Sequence, residues 1–323
     1  KGILCRAAES VPLTWHWIVA SQVMIFLGSI AMTMGIQLSG FAAAFALQTE
    51  VFYDVLGGLN FLAIAAYSFC YAPDASMTRW TEDPRKVAHT IIFVCSRAWL
   101  LLFLAWRAHD RKGDARFDGV KDKFWRFLLF WSVQGMWVFI ISMPMLLVNS
   151  SAVRKPQFDA FDWITIGGFA SGVVIEVLAD VQKTMWVKEG RQGGFCTSGL
   201  WSFSRHPNYF GEILQWWCSW AFAYSSSAGL ADLLWWACIM SPSFTMHILL
   251  NLPATGIAQA NGKNLKRYYE NPDIAKAYSE YRKSTSILIP MIGYRYIPAA
   301  LKQTLLFDFV RYEYRPSRSA KAD

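Results

Sequence analysis

The chain has 323 residues, of which 54% are hydrophobic, 16% aromatic and only 17% charged, and its mean hydropathy is +0.24. This balance excludes an ordinary soluble domain and fits a polytopic membrane protein. The net charge of +8 then belongs to loops facing an anionic leaflet, not to nucleic-acid binding.

Taken in order, the first apolar run covers residues 15–34, with 35–47 prolonging it. A second covers 51–71, with Asp54 near its start. The third, 87–106, carries Arg97 in its middle, and the fourth, 127–148, is expected to break near its end at Pro144. The fifth, 162–181, holds Glu176 and Asp180. The sixth covers 209–224 and the seventh 230–252, with Pro242 and His247 inside it. The first is long enough to cross a hydrocarbon core of about 30 Å. The fold class expected is therefore all-α, a helical bundle of about seven membrane spans forming a single membrane domain. Residues 261–285 read as surface helix. Residues 287–323 form an aromatic tail, interrupted by Pro290 and Pro298, that is expected along the interface. Of the 31 Lys and Arg, 23 fall in 107–126, 182–208 and the tail from 254. Those segments are placed on the cytosolic side, the N-terminus opposite.

The six Cys (Cys5, Cys70, Cys95, Cys196, Cys218, Cys238) are scattered and include no Cys-x-x-Cys pair. Neither a disulfide framework nor a zinc site is indicated, and no metal is expected. The chain begins at Lys1 rather than Met, which leaves room for a preceding segment. His-Glu-x-x-His, Gly-x-Ser-x-Gly, Walker and Rossmann glycine motifs are all missing, so metalloprotease, esterase and soluble-type dehydrogenase readings lack support. Arg97 needs a partner within the membrane, and Asp54 or Glu212 would serve.

One stretch is unusually polar for its position. Residues 199–212 read Gly-Leu-Trp-Ser-Phe-Ser-Arg-His-Pro-Asn-Tyr-Phe-Gly-Glu and run straight into an apolar helix. Pro207 suits the first turn of that helix, where its missing N–H costs nothing. An interfacial loop with snorkelling Arg and Tyr would account for it. A binding site accounts for the density of polar groups better. Just before it, Glu176, Asp180 and Lys183 fall at i, i+4 and i+7 on one helical face. Asp180 and Lys183 could simply pair. The same face could also hold ribose hydroxyls and phosphates, with Lys183, Lys188, Arg191 and Arg205 as the cations.

In these blocks the chain resembles the steroid 5-alpha-reductase-like superfamily over about residues 50–290. It is most similar to the branch of polytopic proteins that share its C-terminal domain. The residues 199–217 carry most of the likeness. Asp54 to Phe61, Arg97 to Phe117, Gln134 to Pro144, Glu176-x-x-x-Asp180-x-Gln182-Lys183, Trp186, Ser241-Pro242, Tyr278, Tyr281, Thr285 and Pro290 follow in the same order. The resemblance implies that the C-terminal half, 160–290, binds NADPH on the cytosolic side. It implies hydride transfer to an activated carbon–carbon double bond of a lipid or sterol-like substrate. Asp180, Lys183, Arg205, Asn208, Tyr281 and Arg282 would hold the cofactor. Glu212 and His206 would order the pocket, and Tyr209 would donate the proton. The endoplasmic reticulum suits the family; a mitochondrial or plastid membrane would suit a lost presequence.

The likeness departs at Thr255-Gly256-Ile257-Ala258 and Asn261, where the branch carries Ser-Gly-Ile-Pro and then Glu. That departure, with the aromatic tail, keeps open a non-catalytic subunit of a larger membrane complex, among whose partners would be other subunits as well as lipids. A membrane methyltransferase using S-adenosylmethionine shares the Arg-His-Pro-x-Tyr-x-Gly core. Tyr278-x-x-Tyr281 is present for it, but residues 256–269 contain no acid.

Overall fold

A 35-residue helix, α1 (Leu13–Leu47), opens the fold, because nothing in its sequence breaks it and its apolar run exceeds one membrane thickness. The fold is that of a computed structural model, which describes residues 13–70, 83–110, 115–151, 157–252, 256–257, 265–266 and 268–312. After α1 come α2 (Tyr53–Cys70), α3 (Pro84–Asp110), α4 (Phe124–Ser150), α5 (Ala160–Lys188) and α6 (Pro207–Ala223). Shorter helices follow: α7 (Leu233–Ala237), α8 (Met240–Met246), α9 (Pro272–Ser284) and α10 (Ala299–Thr304). Among the described residues there is no strand, only an isolated bridge between Ser204 and Ser286.

The protein is an all-α membrane bundle. Among the described residues, six stretches are long and apolar enough to cross a bilayer: 22–47, 53–70, 84–106, 124–150, 160–188 and 233–251. The sixth expected span, α6, has 17 residues, at the short limit for a crossing. The stretch 233–251 is segmented: α7 and α8 are followed by a π-helical turn, His247–Asn251. Pro144 does not break α4, which continues six residues beyond it to Ser150. In a membrane helix a proline is tolerated when neighbouring groups compensate for the lost N–H bond.

The chain divides into two compact units. The first comprises residues 1–166 and 219–241, the second 167–218 and 242–323.

In the first unit, Phe41, Ala44, Tyr53, Phe117, Phe127 and Trp131 form a buried core, with Tyr53 edge-on to Phe117 at 4.9 Å and to Trp131 at 5.1 Å. Polar residues inside the spans are tied to one another, as an environment without water requires. Gln37 donates to Asn60 (3.1 Å) and Asn60 to Thr33 (3.4 Å). Asn149 links Thr90 (3.1 Å) to Ser68 (2.9 Å). His89 bonds Ser219 at 2.9 Å, and Arg85 is paired with the buried Asp162. Asp54 is paired with Arg116 at 3.0 Å. The Arg97 side chain lies 5.5 Å over Phe61 and donates to Ser96 at 2.9 Å. Where α6 gives way to α7, the indoles of Trp220 and Trp235 stack at 4.5 Å. Each donates its Nε1–H to the other's backbone carbonyl at 3.0 Å.

In the second unit, α5 and α6 touch backbone to backbone. A Cβ on Gly172 would lie 2.7 Å from the Gly211 carbonyl oxygen, and one on Gly211 would lie 2.7 Å from the Gly172 oxygen and the Glu176 nitrogen. Small residues at a crossing permit this approach in membranes. It brings the buried Glu176 within 2.5 Å of Gln215 Nε2.

Candidate functional site

The motif at 199–212 is built entirely within the second unit. Gly199 takes a left-handed φ of +57°, and any Cβ there would strike the Gln182 amide at 2.3 Å. Glycine is therefore demanded twice. With it in place, Gln182 Oε1 accepts the Leu200 N–H at 2.9 Å. Trp201 donates its indole N–H to the Ala179 carbonyl at 3.0 Å. The chain from Phe203 to Arg205 then runs beside 285–291. The Arg205 N–H bonds the Ser286 carbonyl (2.8 Å), the Met291 N–H bonds the Phe203 carbonyl (3.3 Å) and the Ser204 hydroxyl bonds the Leu288 carbonyl (2.7 Å). Pro207 opens α6, as its fixed φ favours.

These contacts place the expected site residues in small groups. His206 and Tyr209 stack with ring centroids 5.2 Å apart and planes 6° from parallel. Asp180 accepts from Asn208 Nδ2 at 3.2 Å, while the buried Asn208 Oδ1 has no partner among the described residues. Lys183 holds its ammonium 4.0 Å over the Trp201 ring, a cation–π contact. Tyr281 donates its hydroxyl to the Trp201 carbonyl, so Lys183 and Tyr281 meet at the same tryptophan. Glu212 sits half-buried on α6, three residues beyond Tyr209. Arg282, on α9, donates to the Tyr269 hydroxyl at 3.5 Å.

Arg205 is buried. Its Nε donates to the Thr285 carbonyl (3.2 Å) and its Nη2 to Asp308 Oδ2 (2.6 Å). The same carboxylate oxygen accepts the Tyr294 hydroxyl at 2.6 Å. Asp308 and Tyr294 escaped the sequence reading because they lie in the tail, over 80 residues from the motif. The one available signal was a lone acid inside the aromatic run Leu-Leu-Phe-Asp-Phe-Val. The tail's inward side is buried: Ile287, Leu288 and Tyr312 join Ile213, Leu250 and Ile257 in one apolar cluster, against which Tyr209 and Phe210 also pack. Its outward side exposes Ile292, Tyr296 and Leu305.

The phenols behind the motif are held neutral. Burial pushes Tyr281 well above its ordinary value, and burial likewise raises Tyr278 although Arg205 and Arg282 pull it down. Burial, and then the bond to Asp308, raises Tyr294. Each is therefore a hydrogen-bond donor at neutral pH. Among the described residues no group of three His, Cys, Asp or Glu could hold a metal ion.

Residues 40–285 match the family model described as protein of unknown function DUF1295. The match covers most of the chain, which belongs to this family, itself within the steroid 5-alpha-reductase-like group. No curated protein and no solved structure matches it significantly.

Proposed function

We propose that the protein is a membrane-embedded reductase that uses NADPH to saturate an activated carbon–carbon double bond in a lipid or sterol-like substrate. The observation that carries this reading is Asn208. Its amide nitrogen is fixed by Asp180 while its buried oxygen lacks a donor. A buried orphan acceptor is costly, and a carboxamide N–H or a ribose hydroxyl of a dinucleotide would satisfy it. Lys183, held over Trp201, together with the Lys188 and Arg191 that follow on α5 and its loop, supplies positive charge for phosphates. On this reading Asp180, Lys183, Asn208, Tyr281 and Arg282 hold or frame the cofactor, and Arg205 anchors the tail beside it.

NADPH supplies the hydride when bound. The chain supplies the proton that completes the saturation, so that one hydride and one proton add across the double bond. The Tyr209 phenol is the donor. Its stacking on His206 places it beside a group that can carry positive charge and stabilise the phenolate left behind. Glu212, three residues on, orders that end of α6. The apolar cluster around Tyr209 and Phe210 keeps water from the reacting carbons.

The test is thermal unfolding of the purified protein in detergent, with NADPH and S-adenosylmethionine titrated separately. NADPH at a hundredfold its Kd should add about 2.7 kcal/mol of stability. Stabilisation by S-adenosylmethionine instead would assign the site to a methyltransferase.

A second reading, the non-catalytic subunit, is favoured by the Asp308 carboxylate on Arg205, which neutralises a cation of the motif from within the chain. A response to neither ligand would favour it.

A further inference from the structure

Residues 286–312 lie beyond the stretch that matches the family, which ends at 285, and they are fixed at two points of the second unit. Asp308 bonds Arg205 at 2.6 Å, two residues before α6 begins at Pro207. Arg311 donates to Asn251 Oδ1 and Tyr312 to the Leu250 carbonyl, and Asn251 is the last residue of the apolar stretch 233–251. The tail is thus tied to the ends of two apolar segments. Those ends lie where hydrocarbon gives way to headgroups.

Three large apolar side chains of the tail stand uncovered at that level. Ile292 and Tyr296 are each 88% exposed and Leu305 66%. Tyrosine is favoured at headgroup depth, and exposed apolar groups beside cations are what an interfacial segment presents to a membrane. The charges here have one outward sign. Residues 286–312 contain three cations, Arg295, Lys302 and Arg311, and one acid, Asp308. That acid faces inward, its side chain only 15% exposed, and Arg205 neutralises it. Arg295 is 65% exposed and 3.7 Å from Glu280, an exposed pairing of little strength. Lys302 holds its ammonium 4.2 Å over the Tyr294 ring and donates to the Lys283 carbonyl at 3.3 Å. An ammonium carries three hydrogens and a guanidinium five, so these contacts leave donors for a phosphate.

We infer that the tail binds anionic phospholipid of the leaflet in which it lies. Ile292, Tyr296 and Leu305 enter the upper acyl region, and Arg295, Lys302 and Arg311 take headgroup phosphates. Each cation held near an anionic surface strengthens binding about fivefold, an attraction that zwitterionic lipid, with its compensating choline, does not offer. A protein partner would have to bring acids to the same depth, where lipid phosphates already stand. The surface lies wholly in the second unit and does not rest on the reductase reading.

The test is amide hydrogen exchange of the full chain in nanodiscs of phosphatidylcholine alone and of phosphatidylcholine with phosphatidylglycerol. Peptides within 292–311 should exchange several-fold more slowly in the anionic discs, while 272–284, on α9, should not change. High salt should erase the difference by screening. The combined variant Arg295→Gln, Lys302→Gln and Arg311→Gln should erase it as well. Ile292→Ser with Tyr296→Ser, at two positions that are almost fully exposed, should unfold in detergent at the parental temperature yet lose protection in both kinds of disc. Equal exchange in the two discs would overturn the inference, leaving at most an apolar contact with any bilayer. A difference that survives high salt or the glutamine variant would overturn it too. Exchange as fast in both discs as in detergent would show that no lipid covers the tail and would give this face to a protein partner.

Discussion

Arg205, in the middle of the motif, is paired with Asp308 across 103 residues of sequence at 2.6 Å. The pair is nearly sealed, with side-chain exposures of 4% and 15%, and Tyr294 shares the same carboxylate oxygen. The carboxylate therefore fastens the tail to the start of α6. Asp308→Ala would leave a buried guanidinium without its counter-charge. Breaking such a pair costs about 3–5 kcal/mol. Thermal unfolding in detergent should show the loss, and an unchanged midpoint would mean the tail is held by its apolar contacts alone.

Alkaline pH should act on the same region. The pKa values of Tyr278, Tyr281 and Tyr294 are raised in the folded state, chiefly by burial. In the unfolded chain these phenols ionise near pH 10. Their contribution is thus fully present below about pH 10 and lost as pH climbs toward the folded values. Stability measured at pH 8 and pH 11 should fall, and Tyr294→Phe should shrink that fall. A pH dependence identical in the variant would show that Tyr294 does not report on the tail.

Asn208→Ala removes both the bond to Asp180 and the orphaned acceptor. If a cofactor hydrogen-bonds there, NADPH affinity should weaken by about 1–3 kcal/mol, read as a smaller thermal shift at fixed ligand. The apo protein should change little, because an unsatisfied group disappears along with a satisfied one. Full NADPH stabilisation in this variant would move the cofactor elsewhere.

Gly211→Ala should be costly for a steric reason. Its Cβ would meet backbone atoms of α5 at 2.7 Å, and backbone cannot swing aside as a side chain can. Overpacking of this sort costs about 1–3 kcal/mol, and the Glu176–Gln215 bond would stretch with it. Gly167→Ala, on the same α5 but with open space around its Cβ, is the control and should be neutral. Equal stability of the two variants would refute the close crossing.

The long helices were legible because crossing a bilayer demands about 20 apolar residues in a row, a signal carried by each segment alone. Gly199 and Pro207 were legible for the same reason, since backbone conformation is local. Pairings were not. Asp54 faces Arg116 and Arg205 faces Asp308 across 62 and 103 residues, distances at which sequence spacing carries no geometry. Pro144 misled because the rule that proline breaks a helix is drawn from water, where the unwound backbone can be solvated. In hydrocarbon the cheapest course is to stay helical.

The reciprocal bonds between Trp220 and Trp235 carry a consequence for the corner they close. A reversal of direction between two helices leaves terminal carbonyls that call for solvent or another donor. Here each indole silences the carbonyl beneath its partner, at 3.0 Å in both directions, and the stacked rings cover the bend with apolar surface. The α6–α7 corner is therefore stapled shut by its own indoles, and the carbonyls of Trp220 and Trp235 need no outside donor.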